Sequence, residues 1–249
     1  QILPVNPTGY GNSPYQGLSA FAGNPLFIDL QELIHDKLLL KSDWQKHPRF
    51  PVQKIDFQKL LRWKPAVLRR AFTNFLTSDS SQIKLDYDQF TTSNAFWLQD
   101  YALFMGLREK YQLVSWNNWP NPLRVREPKA LTAFAKENHQ EIKYHQFLQF
   151  LFFRQWGKLK SYANTKGIQL IGDIPIFMGY DSADVWAHPH LFQLDKDLEP
   201  LAVAGVPPDF FSETGQLWGN PLYNWKAHQK NKYDWWCSRV KETLKTVDL

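Results

Sequence analysis

A chain of 249 residues with 43% hydrophobic and 21% charged residues is long enough for one large domain, or for one domain carrying insertions, and is ordinary for a soluble globular protein. The formal charge is +5, but Lys and Arg are scattered among the acids and no run of like charge exceeds a doublet. That pattern lacks the clustering a phosphate-binding face needs, which argues against nucleic acid as a partner. No apolar run approaches the length of a membrane helix and no signal peptide opens the chain, so a membrane partner is not expected. The single cysteine, Cys237, excludes an internal disulfide framework and fits a reducing, cytoplasmic setting. The unusual quantity is the aromatic share, 16% with 11 Trp. It fits either a thick core or a surface for flat-faced ligands such as sugars or bases.

In chain order, "QILPV" (1–5) predicts a short buried strand already under way, which suggests a piece of something longer. "NPTGYGNSPYQG" follows as a turn-rich loop. Phe96, Trp97, Tyr101, Phe104, Leu107 and Tyr111 recur at three- and four-residue spacing and predict an amphipathic helix. "WNNWPNPLRVREP" has the proline content of a connection. A second helix is predicted over 142–163, its stripe formed by Phe147, Leu148, Leu151, Trp156 and Leu159. Gly167 is placed to stop it in the left-handed conformation. Ile168, Leu170 and Ile171 then predict a short buried strand, with Asp173 at its carboxyl end. Helix, glycine stop, apolar strand and terminal carboxylate make one αβ step of a parallel α/β fold, where ligand chemistry collects at the carboxyl ends of strands. A helix over 233–245 and a further apolar strand, "TVDL", complete the pattern. These strands are too few to close an eight-stranded barrel.

Several residues are candidates for chemistry. Asp173 is either a site carboxylate or a cap for the segment that follows. Tyr10, Ser13, Tyr15 and Gln16 offer ring faces, hydroxyls and an amide, a set suited to a polyhydroxylated ring and equally at home in any Gly/Pro turn. The segment "LAVAGVPPDFFSETGQLWGNPLYNW" (201–225) carries only two carboxylates, Asp209 and Glu213. Pro207 and Pro208 stiffen it. Phe210, Phe211 and Trp218 supply stacking faces, and Gln216 and Asn220 supply amides. It reads as a preorganised lid that grips a saccharide and excludes water, or as a structural loop. His188 and His190 match no familiar zinc spacing, and "DYDQF" and "DSAD" lack the full calcium-loop pattern. There is no Gly-rich phosphate loop, no GxSxG elbow and no expected metal or cofactor.

Taken together, "PTGYGNSPYQGLSAFAGNPLFIDL", "WLQDYALF", "FLFFRQWGKLK", "GDIPIF", "DSADVWAHP" and "VAGVPPDFFSETGQLWGNPLYNW" resemble the 4-α-glucanotransferases (amylomaltases or disproportionating enzymes) of glycoside hydrolase family 77, over essentially the whole chain. The resemblance implies a (β/α)8 TIM-barrel α/β fold with helical insertions, incomplete in this chain. Residues 1–249 would form part of the catalytic barrel. Residues 25–165 would be a mostly helical insertion, and 174–225 a loop-rich insertion carrying the active-site lid. It implies transfer of a segment of an α-1,4-glucan to the 4-hydroxyl of glucose or another glucan, by a retaining mechanism with an Asp nucleophile and a Glu acid/base. α-1,4-Glucans and maltooligosaccharides are then the partners. Substrate contacts carry over to Tyr10, Ser13, Tyr15, Asp173, Asp209, Phe211, Glu213, Gln216, Trp218 and Asn220. The nucleophile's Arg-x-Asp-His-x-Arg motif would begin immediately after Leu249, with the other catalytic carboxylates further on, so no catalytic residue is assigned within this chain. A stand-alone glucan-binding module is the alternative reading.

Overall fold

The computed structural model describes residues 1–45 and 47–249. Lys46 and the side chains of Tyr10 and Gln45 lie outside the described residues. Among the described residues the regular elements are eleven α-helices, a few single 3-10 turns and one two-stranded sheet. The helices are α1 (Leu30–His35), α2 (Lys41–Gln45), α3 (Phe57–Thr77), α4 (Ser81–Ser93), α5 (Ala95–Lys110) and α6 (Asn121–Arg124). They continue with α7 (Pro128–Glu137), α8 (His139–Thr165), α9 (Ala183–Ala187), α10 (Trp225–Lys230) and α11 (Asp234–Thr246). None of them is long and apolar enough to cross a membrane.

The long helices form where the apolar period placed them. In α5, Trp97, Tyr101, Phe104 and Leu107 are buried, whereas Phe96 is 52% exposed and stands off the stripe. In α8, Tyr144, Phe147, Leu148 and Leu151 are buried. The expected stripe runs out there: Trp156 is only half-buried and Leu159 is 53% exposed. Gly167 has φ 73°. Its N–H donates to Asn164 O (2.9 Å) and that of Ile168 to Ala163 O (3.0 Å), the paired reverse bonds of a Schellman stop.

Two apolar clusters share α8. One gathers Ile28 to Leu39, α3, α4 and the N-terminal half of α8; Phe147 lies 4.8 Å from Phe75 and 5.4 Å from Phe72, centroid to centroid. The other gathers α5, α9, Tyr223 and Trp235. Phe90 and Phe153 touch both clusters. The expected connection 116–128 is mostly exposed but anchored in the core by Trp116, Trp119 and Leu123, which are buried, and the Trp116 indole donates to Tyr180 O (2.7 Å). Tryptophan can be buried in such a connection because its one N–H finds a carbonyl there.

Polar contacts also fasten the helices. Arg69 of α3 binds Glu109 of α5 and Glu141 of α8, both at 2.5 Å, and its guanidinium lies 3.8 Å over the Tyr144 ring. Gln149, fully buried in α8, accepts from Gly23 N (2.7 Å) and donates to Gly23 O (2.9 Å), fixing the segment after the first loop. Asp184 of α9 accepts from Ala20 N (2.8 Å) on that same segment.

The expected strands depart from expectation. Residues 1–5, 168–171 and 247–249 are extended but form no regular strand. Ile2 N donates to Ile171 O (2.9 Å), Leu249 N to Leu170 O (3.2 Å) and Gly172 N to Leu249 O (2.7 Å). The last two make the slanted pattern of a parallel pair. Leu3, Ile168 and Ile171 are 63%, 56% and 46% exposed rather than buried. Strand assignment and burial both need covered neighbours, and the few bonds among these segments do not supply them. Thr246 belongs to α11, not to a strand.

The sheet lies where a loop was expected. β1 (Val203–Val206) pairs antiparallel with β2 (Gln216–Pro221), with Val206 opposite Gln216 and Gly205 opposite Leu217. Gly205 permits the approach, since a Cβ there would sit 2.3 Å from Gln216 O.

Candidate functional site

The loop 9–17 is folded back on itself. Gly9 N donates to Gln16 O (2.8 Å), Asn6 Nδ2 to Pro14 O (3.1 Å), and Ser13 Oγ accepts from Tyr15 N (3.3 Å). A side chain at Gly9 would meet Gln16 O at 2.3 Å, so the closure requires glycine. The result projects Tyr15, 45% exposed, toward Asp173, and the Tyr15 hydroxyl donates to Asp173 Oδ2 at 2.6 Å. That hydrogen bond, with smaller effects of burial and of the carboxylate charge, raises the phenol's pKa above its usual value.

Opposite these stands the hairpin stem. The Trp218 indole N–H donates to Gln216 Oε1 (3.0 Å), and its ring centroid lies 6.4 Å from that of Phe177. Gln16 Nε2 donates to Asn220 Oδ1 (2.8 Å) and to Trp218 O (3.0 Å), joining the first loop to β2. Behind the cleft, the wall Ile174 to Phe177 is held from below. Ile176 O accepts from Tyr223 Oη (2.7 Å) and from Arg239 (3.3 Å), and Pro175 O accepts a further Arg239 bond.

These pieces enclose a cleft of about 540 Å³ lined by Ser13, Tyr15, Gln16, Asp173, the Ile174–Phe177 wall, Trp218 and Asn220. It has aromatic faces, an aliphatic wall and a short polar edge, and Asp173 is its only carboxylate among the described residues. It can stack on a flat apolar face and hydrogen-bond hydroxyls at its rim.

Five of the ten expected contact residues therefore converge: Ser13, Tyr15, Asp173, Trp218 and Asn220. Asn220 is buried, however, and gives its amide to Gln16 and to Met178 O (3.0 Å) rather than to open space. Gln216 sits at the start of β2 and receives the Trp218 indole. Asp209, Phe211 and Glu213 are away from the cleft, on the hairpin tip. There Asp209 Oδ1 accepts from Phe211 N (2.9 Å) and Ser212 N (2.8 Å), and Ser212 Oγ donates to Gly215 O (2.7 Å). Phe210 and Phe211 are 97% and 88% exposed, their rings edge to face. The side chain of Tyr10 lies outside the described residues. The wall residues, Phe177 above all, were not singled out from sequence, although an apolar run directly after a strand-end carboxylate was a usable signal.

The family model described as 4-alpha-glucanotransferase, glycoside hydrolase family 77, matches residues 1–249. The chain belongs to this 4-alpha-glucanotransferase family. A 4-alpha-glucanotransferase of Thermus thermophilus is 47% identical over all of this chain, which covers 49% of that protein; the corresponding figures for one of Clostridium butyricum are 45% and 51%. An amylomaltase from Streptococcus agalactiae, solved in complex with acarbose, superposes with TM-score 0.92 at 40% identity, over 99% of this chain and 50% of its own. An amylomaltase from Corynebacterium glutamicum, 18% identical with TM-score 0.75 over 98% of this chain and 34% of its own, shares the fold. The chain thus spans about half the length of the curated relatives it matches.

Two other features of this glucanotransferase-family chain have different characters. A second cleft, about 500 Å³, opens between α5, α9 and the start of α11 over a floor of Phe21, Trp97 and Trp235, and takes in none of the expected contact residues. Glu109, Glu141 and His145 hold ligand atoms within 4.8 Å of one another, a spacing that could bind a metal ion. The Arg69 guanidinium already lies on both carboxylates, so the positive charge the group requires is supplied by the protein.

Proposed function

We propose that this chain forms the sugar-binding face of a 4-α-glucanotransferase, which moves a segment of an α-1,4-glucan onto the 4-hydroxyl of glucose or of another glucan. The observation that carries the reading is the convergence of Tyr15, Asp173 and Trp218, from segments 158 and 45 residues apart in sequence, on one cleft of aromatic and hydroxyl-binding character. In this reading a pyranose ring stacks on Trp218, and its hydroxyls bond to the Tyr15 phenol, Ser13 and Asp173. Tyr10, the tip residues Asp209, Phe211 and Glu213, and Gln216 at the start of β2 belong to a further contact surface that closes over a longer glucan.

Retaining transfer needs two carboxyl groups about 5–5.5 Å apart across the scissile bond. Among the described residues the cleft has one, and it is committed to Tyr15. We therefore assign nucleophile and acid/base to polypeptide outside these residues, and the fold to a (β/α)8 barrel to which 1–5, 168–172 and 247–249 contribute neighbouring strands. The parallel bonding between Leu170–Gly172 and Leu249 supports that assignment. Residues 25–165 and 174–225 are then insertions on the barrel. A lid of this kind favours transfer by excluding water while an acceptor sugar reaches the glycosyl-enzyme.

Incubation of the full-length protein with maltotriose tests the proposal. Glucose together with maltooligosaccharides longer than the substrate is the expected product pattern. Absence of the longer products, with only glucose and maltose formed, would identify a hydrolase instead.

A further inference from the structure

We propose that Gln16 is a positioning residue that sets Trp218 against the cleft through a clasp of paired carboxamides with Asn220; the inference rests on reading that cleft as the sugar site. Gln16 Nε2 uses both hydrogens, one on Asn220 Oδ1 (2.8 Å) and one on Trp218 O (3.0 Å). Asn220 Nδ2 uses both of its own, on Gln16 Oε1 (3.4 Å) and Met178 O (3.0 Å). All four amide hydrogens are spent on acceptors. Rotating either amide by half a turn would set oxygen against oxygen, so each orientation fixes the other.

The surroundings are built to admit this clasp. A Cβ at Gly179 would come within 3.2 Å of Gly17 O and 3.5 Å of Gln16 Oε1, and one at Gly9 would collide with Gln16 O. Gly219, at φ 78°, follows Trp218 in a conformation with little steric guidance of its own. The Trp218 carbonyl is therefore directed by Gln16, while its indole N–H is held by Gln216. Asn220 is 3% exposed, which makes it part of this support rather than a sugar contact. Truncating Gln16 leaves one amide hydrogen and the Oδ1 of Asn220, together with the Trp218 carbonyl, to find new partners, and the ring loses its fixed bearing.

The test uses Gln16→Leu, Gln16→Glu, Trp218→Phe and the Gln16→Leu/Trp218→Phe double variant in the full-length protein. Indole N–H NMR signals are recorded without sugar, and KM and kcat are measured with maltotriose. The Trp218 signal, identified by its absence in Trp218→Phe, is expected to shift or broaden in Gln16→Leu while the other indole signals stay in place. KM is expected to rise about tenfold with kcat changed less than about twofold, and Gln16→Leu is expected to add less than about twofold in the Trp218→Phe background. Gln16→Glu is expected to behave like Gln16→Leu near neutral pH, with its Trp218 signal moving back as the pH is lowered toward about 4.3 and the protonated acid can donate again. An unmoved Trp218 signal in Gln16→Leu and Gln16→Glu, or fully additive losses in the double variant, would overturn the clasp. The sugar-free signal decides this point even if maltotriose is not turned over, an outcome that would instead refute the proposed function.

Discussion

Tyr15 and Asp173 lie 158 residues apart in the sequence and meet through a 2.6 Å bond, so each determines what the other offers a ligand. The phenol stays protonated to higher pH than a free tyrosine because its hydrogen is held by a carboxylate. In Asp173→Asn that bond weakens and the nearby negative charge is gone. The Tyr15 pKa is then expected to fall back toward about 10. Ring-carbon NMR titration of tyrosine checks this; an unchanged Tyr15 titration would mean the two groups do not meet in solution. At this scale the sequence was informative about residue type and less so about bearing. Tyr15, Asp173 and Trp218 were legible because aromatic and carboxylate groups in Gly/Pro-rich segments have few structural uses. Asn220 was legible as polar, but its burial depends on Gln16, 204 positions away in the chain, a partner no local pattern reveals. Asp209 resembled a ligand contact, yet one of its oxygens closes its own turn.

Helices were the readable elements because their apolar period is written into consecutive residues, and α5 and α8 fall within a few residues of expectation. Strands were not, since an extended segment becomes a strand only through its neighbours. The hairpin was hidden by glycines and prolines that signal a loop, although Gly205 serves the close approach of two strands. The α8 stop is testable: Gly167 holds φ 73° with open space where a Cβ would go, so Gly167→Ala is expected to cost about 1–2 kcal/mol by backbone strain alone, read by urea unfolding. No measurable loss would mean the stop is made elsewhere.

The cluster joining α3, α5 and α8 makes stability depend on pH. His145 is buried in α8, 3.2 Å from Glu141 and 3.3 Å from Glu109. Burial pushes its pKa down, but the two carboxylates outweigh burial and the net shift is upward from 6.5. A folded pKa above the unfolded one means this stabilisation is complete below about pH 6.5 and is lost as the pH rises through the folded value. For Glu141, burial acts upward, while His145 and Arg69 prevail and drive the carboxyl well below its usual range. Its contribution is present above an unfolded value near 4.5 and is lost in acid. Together they predict greatest stability from this cluster between about pH 4.5 and 6.5. Urea midpoints of the wild type are expected to decline from pH 6.5 to 9, and those of His145→Gln to be flatter over that range; parallel curves would remove His145 from the account.

For the molecule as a whole, the helical content was legible from the sequence and the sheet architecture was not, because the latter depends on contacts among short segments far apart in the chain. Ile168, Ile171 and Leu3 face solvent on segments joined by only a few ladder bonds, the condition of strands whose flanks are uncovered. In the barrel we propose, further strands and helices cover those flanks and bring the catalytic carboxylates to the Tyr15–Trp218 cleft. This chain by itself is accordingly expected to release no glucose from maltotriose, and chromatographic detection of turnover by residues 1–249 alone would place the chemistry within them.

The central claim is that the cleft between the first loop, the Ile174–Phe177 wall and the hairpin stem receives a glucan ring. A crystal structure of the full-length protein soaked with acarbose tests it most directly. The account predicts a sugar ring in van der Waals contact, within about 4.5 Å, with the Trp218 indole and hydrogen-bonded to Tyr15 or Asp173. Acarbose bound only elsewhere, with this cleft left to solvent, would contradict it.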